Sequence, residues 1–303
     1  MCGIVGLYLK NPTLEPELGR LFTPMLIEMS DRGPDSAGIA IYQEPVEDDE
    51  TLKLVLFHPD DDFGWDGLKT SLEEDLQLSA SIDDIASHAV LISDGDEATL
   101  RDAIEAFDAD IQIMSIGRVI EIYKEAGLPA EVAARFELEA MGGSHIIGHT
   151  RMATESAVTT AGSHPFSTGL DLCLVHNGSL SNHNWLRSEI ERRHGITCRT
   201  ENDTEVAAAY LTAKLLEGRS LHQALDASIQ DLDGFYTFCV GTADGFAVLR
   251  DPIACKPAIL AETEDWVAMA SEFRALASLP GVGEAKVWEP EPATVYSWGR
   301  EAA

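Results

Sequence analysis

Between Glu44 and Asp110 the chain carries 21 acidic side chains and three basic ones, a net charge of −18 in under a quarter of its 303 residues. Ionised carboxylates are almost never fully buried without a partner, so the acids of this stretch read as facing solvent. It divides the sequence into a moderately charged frame and an acidic interruption. We read the interruption as an inserted acidic α/β subdomain over residues 46–139. Its charge reads first as a solvated face, and second as a docking surface for a basic partner subunit.

The whole chain has a formal charge of −31. Phosphate recognition needs clustered Lys and Arg, so nucleic acid and anionic membrane surfaces are excluded as partners. The five cysteines, Cys2, Cys173, Cys198, Cys239 and Cys255, are odd in number and widely spaced, without a CxxC pair. Neither a disulfide framework nor a zinc ribbon fits that pattern. The opening MCGIVGLYLK has no basic n-region and no long apolar run, and no stretch approaches the roughly 18 apolar residues of a membrane span. A reducing cytoplasm is the expected location.

Outside the insert the apolar pattern switches between two periods. CGIVGLYL and Gly38 to Tyr42 read as strands. Leu18, Leu21, Met25, Leu26 and Met29 have helical spacing, with Pro24 a candidate kink. Inside the insert, LKLVLF reads as a strand, and DEATLRDAIEAF and IGRVIEIYKEAG as helices. HIIGHTRMAT is strand-like. LDLCLVHNGSLSN reads as a strand followed by a tight Asn-Gly turn. NWLRSEIERRHG (closed by Gly195), DTEVAAAYLTAKLLEG and SLHQALDASIQDL read as amphipathic helices. FYTFCVGT, GFAVLRD, PAILAE, WVAMASE and TVYSWG follow as short strands. Strands, then helices, then many strands point to a layered α+β domain with antiparallel sheets.

Cys2 follows the initiator Met directly. Removal of Met1 would give it a free α-amine beside its own thiol. That amine has a reference pKa of about 7.7–8.0 and can take the thiol proton near neutrality. One residue then supplies both nucleophile and base. The plain alternative is a small apolar residue opening a core strand. Arg151, at the end of an apolar strand in HTRMAT, is a candidate bidentate carboxylate clamp or a surface ion-pair partner. Asn177 and Gly178 form a turn, or aim an amide and a backbone N–H at one developing oxyanion. Asp203 begins a helix, where it caps or accepts a substrate ammonium; Asn202 and Glu205 offer a capping box that would free it. The loop DRGPDSAG carries Asp31, Arg32 and Asp35. His149, His164, His176 and His183 lie close in sequence but lack metal-ligand spacing on a helix, so no metal is expected.

Together, and in this order, MCGIVG, RGPDSAG, GHTRMAT, HNGSLSN, the Asp of NDTE, GFAVLRDPIACKPAIL and ASEFRAL resemble the class II glutamine amidotransferases, members of the N-terminal nucleophile hydrolase superfamily. The resemblance spans nearly the whole chain outside the insert. It implies a four-layer αββα fold over residues 1–303, with Cys2 at the end of a central strand. It implies Cys2 as nucleophile, Asn177 and Gly178 as the oxyanion hole, Arg151 as the clamp for the glutamine α-carboxylate and Asp203 as the ligand of its α-ammonium. Thr154 and Arg32 are implied as further substrate-binding residues, Arg32 in a loop that closes over the nucleophile. Met152 and Glu155 depart from the aromatic residue and the His that many relatives carry at these places.

Family members usually fuse this domain to a synthase, whereas here the hydrolase pattern runs to the last residues. The resemblance therefore implies L-glutamine as substrate and a synthase partner subunit receiving ammonia in a hetero-oligomer. Among stand-alone relatives the chain is most similar to amidotransferase subunits of glutamate-synthase-type complexes, including the small subunit of N-methylglutamate synthase. No cofactor is expected in this chain; flavin and iron–sulfur clusters would belong to partner subunits. The alternative is a scaffold or regulatory subunit that binds glutamine or glutamate without hydrolysing it.

Overall fold

The computed structural model describes residues 2–46, 48, 50–153 and 158–299. Its first half contains β1 (Gly3–Leu9), α1 (Leu18–Ile27), β2 (Ser36–Tyr42), β3 (Leu52–Phe57), α2 (Asp66–Asp75), β4 (Ala80–Ile85), β5 (His88–Ser93), α3 (Glu97–Phe107), β6 (Gln112–Gly117), β7 (Ile120–Ala126), α4 (Pro129–Arg135) and β8 (His145–Arg151). The second half contains β9 (Phe166–Gly169), β10 (Leu172–Leu180), α5 (His183–His194), α6 (Asp203–Leu216), α7 (Leu221–Asp231), β11 (Gly234–Thr242), β12 (Gly245–Arg250), β13 (Ile259–Glu262), β14 (Trp266–Ala270), β15 (Lys286–Trp288) and β16 (Val295–Gly299).

A seven-stranded sheet runs β15-β13-β14-β1-β8-β2-β7, and a five-stranded sheet runs β16-β12-β11-β10-β9. Both are antiparallel throughout. Their facing sides share one apolar core, in which Val175, Cys239 and Val248 of the smaller sheet join Val5, Leu7 and Ile147 of the larger. Leu18, Phe22 and Met25 of α1 enter that same core. The outer face of the smaller sheet packs Leu174, Phe238 and Leu249 against Leu186 of α5, Val206 and Tyr210 of α6 and Leu225 of α7. The resulting order of layers is helix, sheet, sheet, helix, and β1 is the central strand of its sheet.

A third, four-stranded sheet, β4-β5-β3-β6, is built from the acidic stretch. The two-residue period of β3 divides its side chains cleanly. Leu54 and Leu56 pack with Leu68 and Leu72 of α2 and with Leu100 and Ile104 of α3. Val55 and Phe57 point the other way, into the main core. The acids stay outside: Asp60, Asp61, Asp62, Glu73, Glu74, Asp75, Asp83 and Asp84 are all exposed. The separate sheet ends at Gly117. β7 and α4, although inside the 46–139 range, belong to the main sheet and its helical cover.

Two expectations fail here. IGRVIEIYKEAG is not a helix; most of it is β7. Its polar residues do not face water, which the helical reading assumed. Glu121 pairs with Lys53 of β3 at 2.9 Å and receives the Tyr123 hydroxyl at 2.7 Å. Lys124 is also buried. Nor do Asn177 and Gly178 make a turn. They lie inside the nine-residue strand β10, paired with Thr237 and Tyr236.

Candidate active site

Cys2 is the half-buried residue immediately before β1. The β1–β8 register places Gly3 opposite Thr150, so one step further Cys2 stands level with Arg151. The carbonyl of Cys2 is gripped from two sides. Arg32 donates to it through Nε at 3.0 Å, and Asn177 through Nδ2 at 3.1 Å. Arg32 itself is 9% exposed and donates through Nη1 to Glu272 at 2.7 Å. Glu272, also paired with Arg274 at 2.9 Å, is held below the usual glutamate range, first by the Arg32 hydrogen bond and then by Arg274. Glu272 lies inside the segment ASEFRAL, where no local signal marks it, because its partner is 240 residues away.

Asn177 and Gly178 occupy consecutive places on β10. Gly178 has φ = +153°, and a Cβ there would lie 2.0 Å from the Phe235 carbonyl oxygen. Only glycine fits such a position. The Asn177 amide carries two N–H donors, and Cys2 uses one.

Asp203 is the first residue of α6, and Asn202 is its N-cap, accepting the Thr204 N–H at 2.9 Å. The capping box does not form. Glu205 instead accepts the backbone N–H groups of Arg199 and Thr200 at 2.8 and 2.7 Å. Asp203 is thereby released to tie α6 to β10. Its Oδ2 accepts the Leu180 N–H at 2.9 Å, and its Oδ1 lies 3.6 Å from His176 Nδ1. Burial opposes its ionisation, but the contact with His176 and the Leu180 N–H outweigh it and hold Asp203 below the usual aspartate range.

Arg151 ends β8, half-buried, and donates through Nη1 to the Gly162 carbonyl at 3.0 Å. Asn202 reaches the same carbonyl at 3.4 Å, so the Arg151 guanidinium and the start of α6 converge. Asp35 braces this end of β8. Its N–H donates to the Arg151 carbonyl, and its carboxylate accepts the Ala153 N–H at 2.7 Å. The structure thus brings Cys2, Arg32, Arg151, Asn177, Gly178 and Asp203 to the ends of β1, β8 and β10. Thr154 and Glu155 lie outside the described residues.

Residues 149–278 match the family model described as a glutamine amidotransferase domain. The chain is 56% identical over 307 residues to the glutamine amidotransferase-like protein GlxB of Rhizobium meliloti (strain 1021), covering all of both chains. It is 32% identical, over 98% of its length and 99% of the relative's, to a Methanothermobacter thermautotrophicus chain provisionally named a glutamine amidotransferase. The chain belongs to the glutamine amidotransferase family. The glutamine phosphoribosylpyrophosphate amidotransferase of B. subtilis shares the fold, with a TM-score of 0.62 at 21% identity, over 99% of this chain and 48% of that one. A structure described as the allosteric regulatory enzyme of purine biosynthesis does so with a TM-score of 0.64, also at 21% identity, over 99% of this chain and 47% of that one. The amidotransferase chain therefore spans about half the length of these solved structures. Their four-layer fold is the one observed here.

The clustered histidines of this amidotransferase have a structural place. Thr204 Oγ1 is 3.0 Å from His176 Nδ1 and 3.0 Å from His164 Nε2, and His149 Nε2 is 3.1 Å from the His176 carbonyl. Burial pushes His149 down to about 3 and His164 well below its ordinary value, so both rings are neutral. Among the described residues, the one group of three close metal-ligand atoms is His58, Asp108 and Asp110, in the insert. There His58 Nδ1 accepts the Asp60 N–H at 3.1 Å, and its Nε2 lies 3.9 Å from Asp108. A cleft of about 970 Å³ lies between α3, β6, β9 and the 195–200 loop, but it includes none of the candidate site residues. Among the described residues, no helix is long and apolar enough to cross a membrane.

Proposed function

We propose that this amidotransferase hydrolyses the side-chain amide of L-glutamine through a thioester on Cys2. The observation that carries the reading is the double grip on the Cys2 carbonyl by Arg32 and Asn177, at the end of the central strand and level with Arg151. That grip fixes the residue on its carboxyl side and leaves the thiol and the future α-amine to do chemistry. The glutamine head group is held between Arg151, which takes the α-carboxylate, and Asp203, whose ionised carboxylate takes the α-ammonium. Arg32 Nη2, buried without a partner among the described residues, is a donor left for a substrate oxygen. The Cys2 thiolate adds to the amide carbon. The resulting oxyanion is met by the second N–H of Asn177 and the backbone N–H of Gly178. The protonated Cys2 amine gives its proton to the leaving nitrogen, so ammonia departs, and water activated by the same amine opens the thioester to glutamate.

The acceptor of the ammonia is proposed to be a partner synthase subunit of glutamate-synthase or N-methylglutamate-synthase type. Support comes from the similarity of MCGIVGLYLKNP and MSDRGPDSAGIAIY to such subunits. Flavin and iron–sulfur clusters, in this reading, are the partner's. The reading places the protein in the cytoplasm.

The test is intact-mass analysis followed by alkylation. Loss of Met1, with one thiol alkylated rapidly and protected by glutamine, is the expected result. A processed Cys2 that resists alkylation and releases no ammonia from glutamine favours a glutamine-binding scaffold instead.

A further inference from the structure

Residues 161–165 form a strap laid across β2 and β7. At Gly38 of β2 there is no room for a side chain, because a Cβ would lie 2.2 Å from the His164 carbonyl oxygen. Lys124 of β7 closes the strap from within the protein. It is 3% exposed, and its Nζ donates to the carbonyls of Ser163 at 2.8 Å and of Ala161 and Pro165 at 3.2 Å each. The Phe166 ring lies 4.5 Å from the same nitrogen. Glu125, next on β7, accepts the Thr160 hydroxyl on one carboxylate oxygen and the Ser87 hydroxyl, from the insert, on the other at 2.9 Å. Between the Lys124-bound carbonyls of Ala161 and Ser163 lies the Gly162 carbonyl, which receives Arg151.

We propose that Lys124 is a positioning residue for glutamine binding: by holding the strap Ala161–Pro165 it fixes the Gly162 carbonyl that orients the Arg151 guanidinium. This rests on the reading of Arg151 as the α-carboxylate clamp. Bidentate capture of a carboxylate depends on the plane of the guanidinium, and a displacement near 1 Å is enough to weaken it. An ammonium has three N–H donors, one for each strap carbonyl, whereas a neutral amine has two. The strap is therefore fully held only while Lys124 is charged.

Burial pushes Lys124 down to about 7, against an opposing pull from Glu205 of α6. Among the described residues, His164 of the strap and His88 of β5 also feel Lys124. Burial keeps His164 well below its ordinary value and His88 near 3, so neither changes charge with it. Arg151 of β8 is a further charged side chain on the strap. Affinity for glutamine should accordingly be highest below neutrality and fall as the pH rises through Lys124's range.

The experiment is steady-state release of glutamate by the full chain from pH 6 to 9, on wild type, K124M, K124R, T160V and R151M. In wild type, KM is expected to rise with pH. K124M is expected to raise KM at pH 6.5 about tenfold and to flatten its pH dependence, with kcat falling less than about threefold. K124R is expected to recover part of the loss. T160V, which removes the hydroxyl held by Glu125, is expected to raise KM more modestly. Iodoacetamide alkylation of Cys2, which needs no clamp, should keep its wild-type rate in K124M; a general structural defect would slow it too. If R151M leaves KM unchanged, the clamp reading itself fails. If R151M raises KM while K124M and T160V leave KM and its pH profile as in wild type, the proposal for Lys124 is overturned. Should K124M not fold, the wild-type pH profile and T160V decide: a flat KM and a silent T160V overturn it.

Discussion

The site end of the molecule and the acidic insert handle charge in opposite ways. Around Cys2 the charged groups are few and largely enclosed, and their partners come from distant segments. Arg32 reaches Cys2 and Glu272, Asp203 reaches Leu180, and Lys124 reaches three carbonyls of one strap. In the insert the charges are many and exposed, on a small sheet with its own apolar core of Leu54, Leu56, Leu68 and Leu100. An enclosed charge is costly unless its geometry is fixed, so where such charges cluster the structure is dictated by chemistry. A solvated charge constrains almost nothing beyond solubility and encounter with partners. The −18 block that dominates the sequence is therefore the region whose individual acids should matter least to turnover.

Substitutions can break or sharpen that contrast. Cys2→Ala is expected to have the largest effect, abolishing glutamate release by at least about 10³-fold while far-UV circular dichroism stays native, because the residue is only half-buried and precedes its strand. Asn177→Ala comes next. Removing one oxyanion donor typically costs about 2.7–4 kcal/mol of barrier, so kcat should fall by about 10²–10³-fold. Full turnover in this variant would remove Asn177 from the mechanism.

Asp203→Asn is expected to raise KM for glutamine about tenfold, since an ammonium loses its counter-charge. It should also change the acid limb of stability. A carboxylate held below its unfolded pKa stabilises the fold above about pH 4, and that contribution is lost as pH falls through the folded value. Thermal melts between pH 2 and 6 should show wild type losing this increment while the Asn variant does not. The smallest effect belongs to the insert. Glu73 and Glu74 are exposed in the last turn of α2, where negative charge opposes the helix dipole. The double change to Gln should leave turnover within about twofold and raise Tm by no more than about 2 °C at low salt. A tenfold loss of activity would show that the two regions are coupled more tightly than their charges suggest.

Local signals carried much of the fold in the sequence. The helical run that begins at Asp96, the Gly195 terminus with φ = +69° and the short strands after Gly234 could be read because each depends on a few adjacent residues. β15 leaves no mark in the sequence, since three residues beside β13 carry no periodicity. β7 resembles a helix in sequence because Glu121 and Lys124 look like a solvent face until their partners Lys53 and the strap are in place. The Asn-Gly pair misled in the same way. The dipeptide favours a turn, but β11 lies alongside and extends it. Cys2, Arg32, Arg151, Asn177, Gly178 and Asp203 were legible as residue types within motifs. Glu272, Asp35's bond to Ala153 and the Lys124 strap were not, because each is a contact between segments that only folding brings together.

The two bonds to the Cys2 carbonyl have a consequence for maturation. Both hold the Cys2–Gly3 peptide unit, so cleavage of the Met1–Cys2 bond disturbs neither. A chain that escapes the aminopeptidase should thus melt like its trimmed counterpart and yet be inert. An inactive preparation of this protein would call for a mass spectrum before a refolding screen.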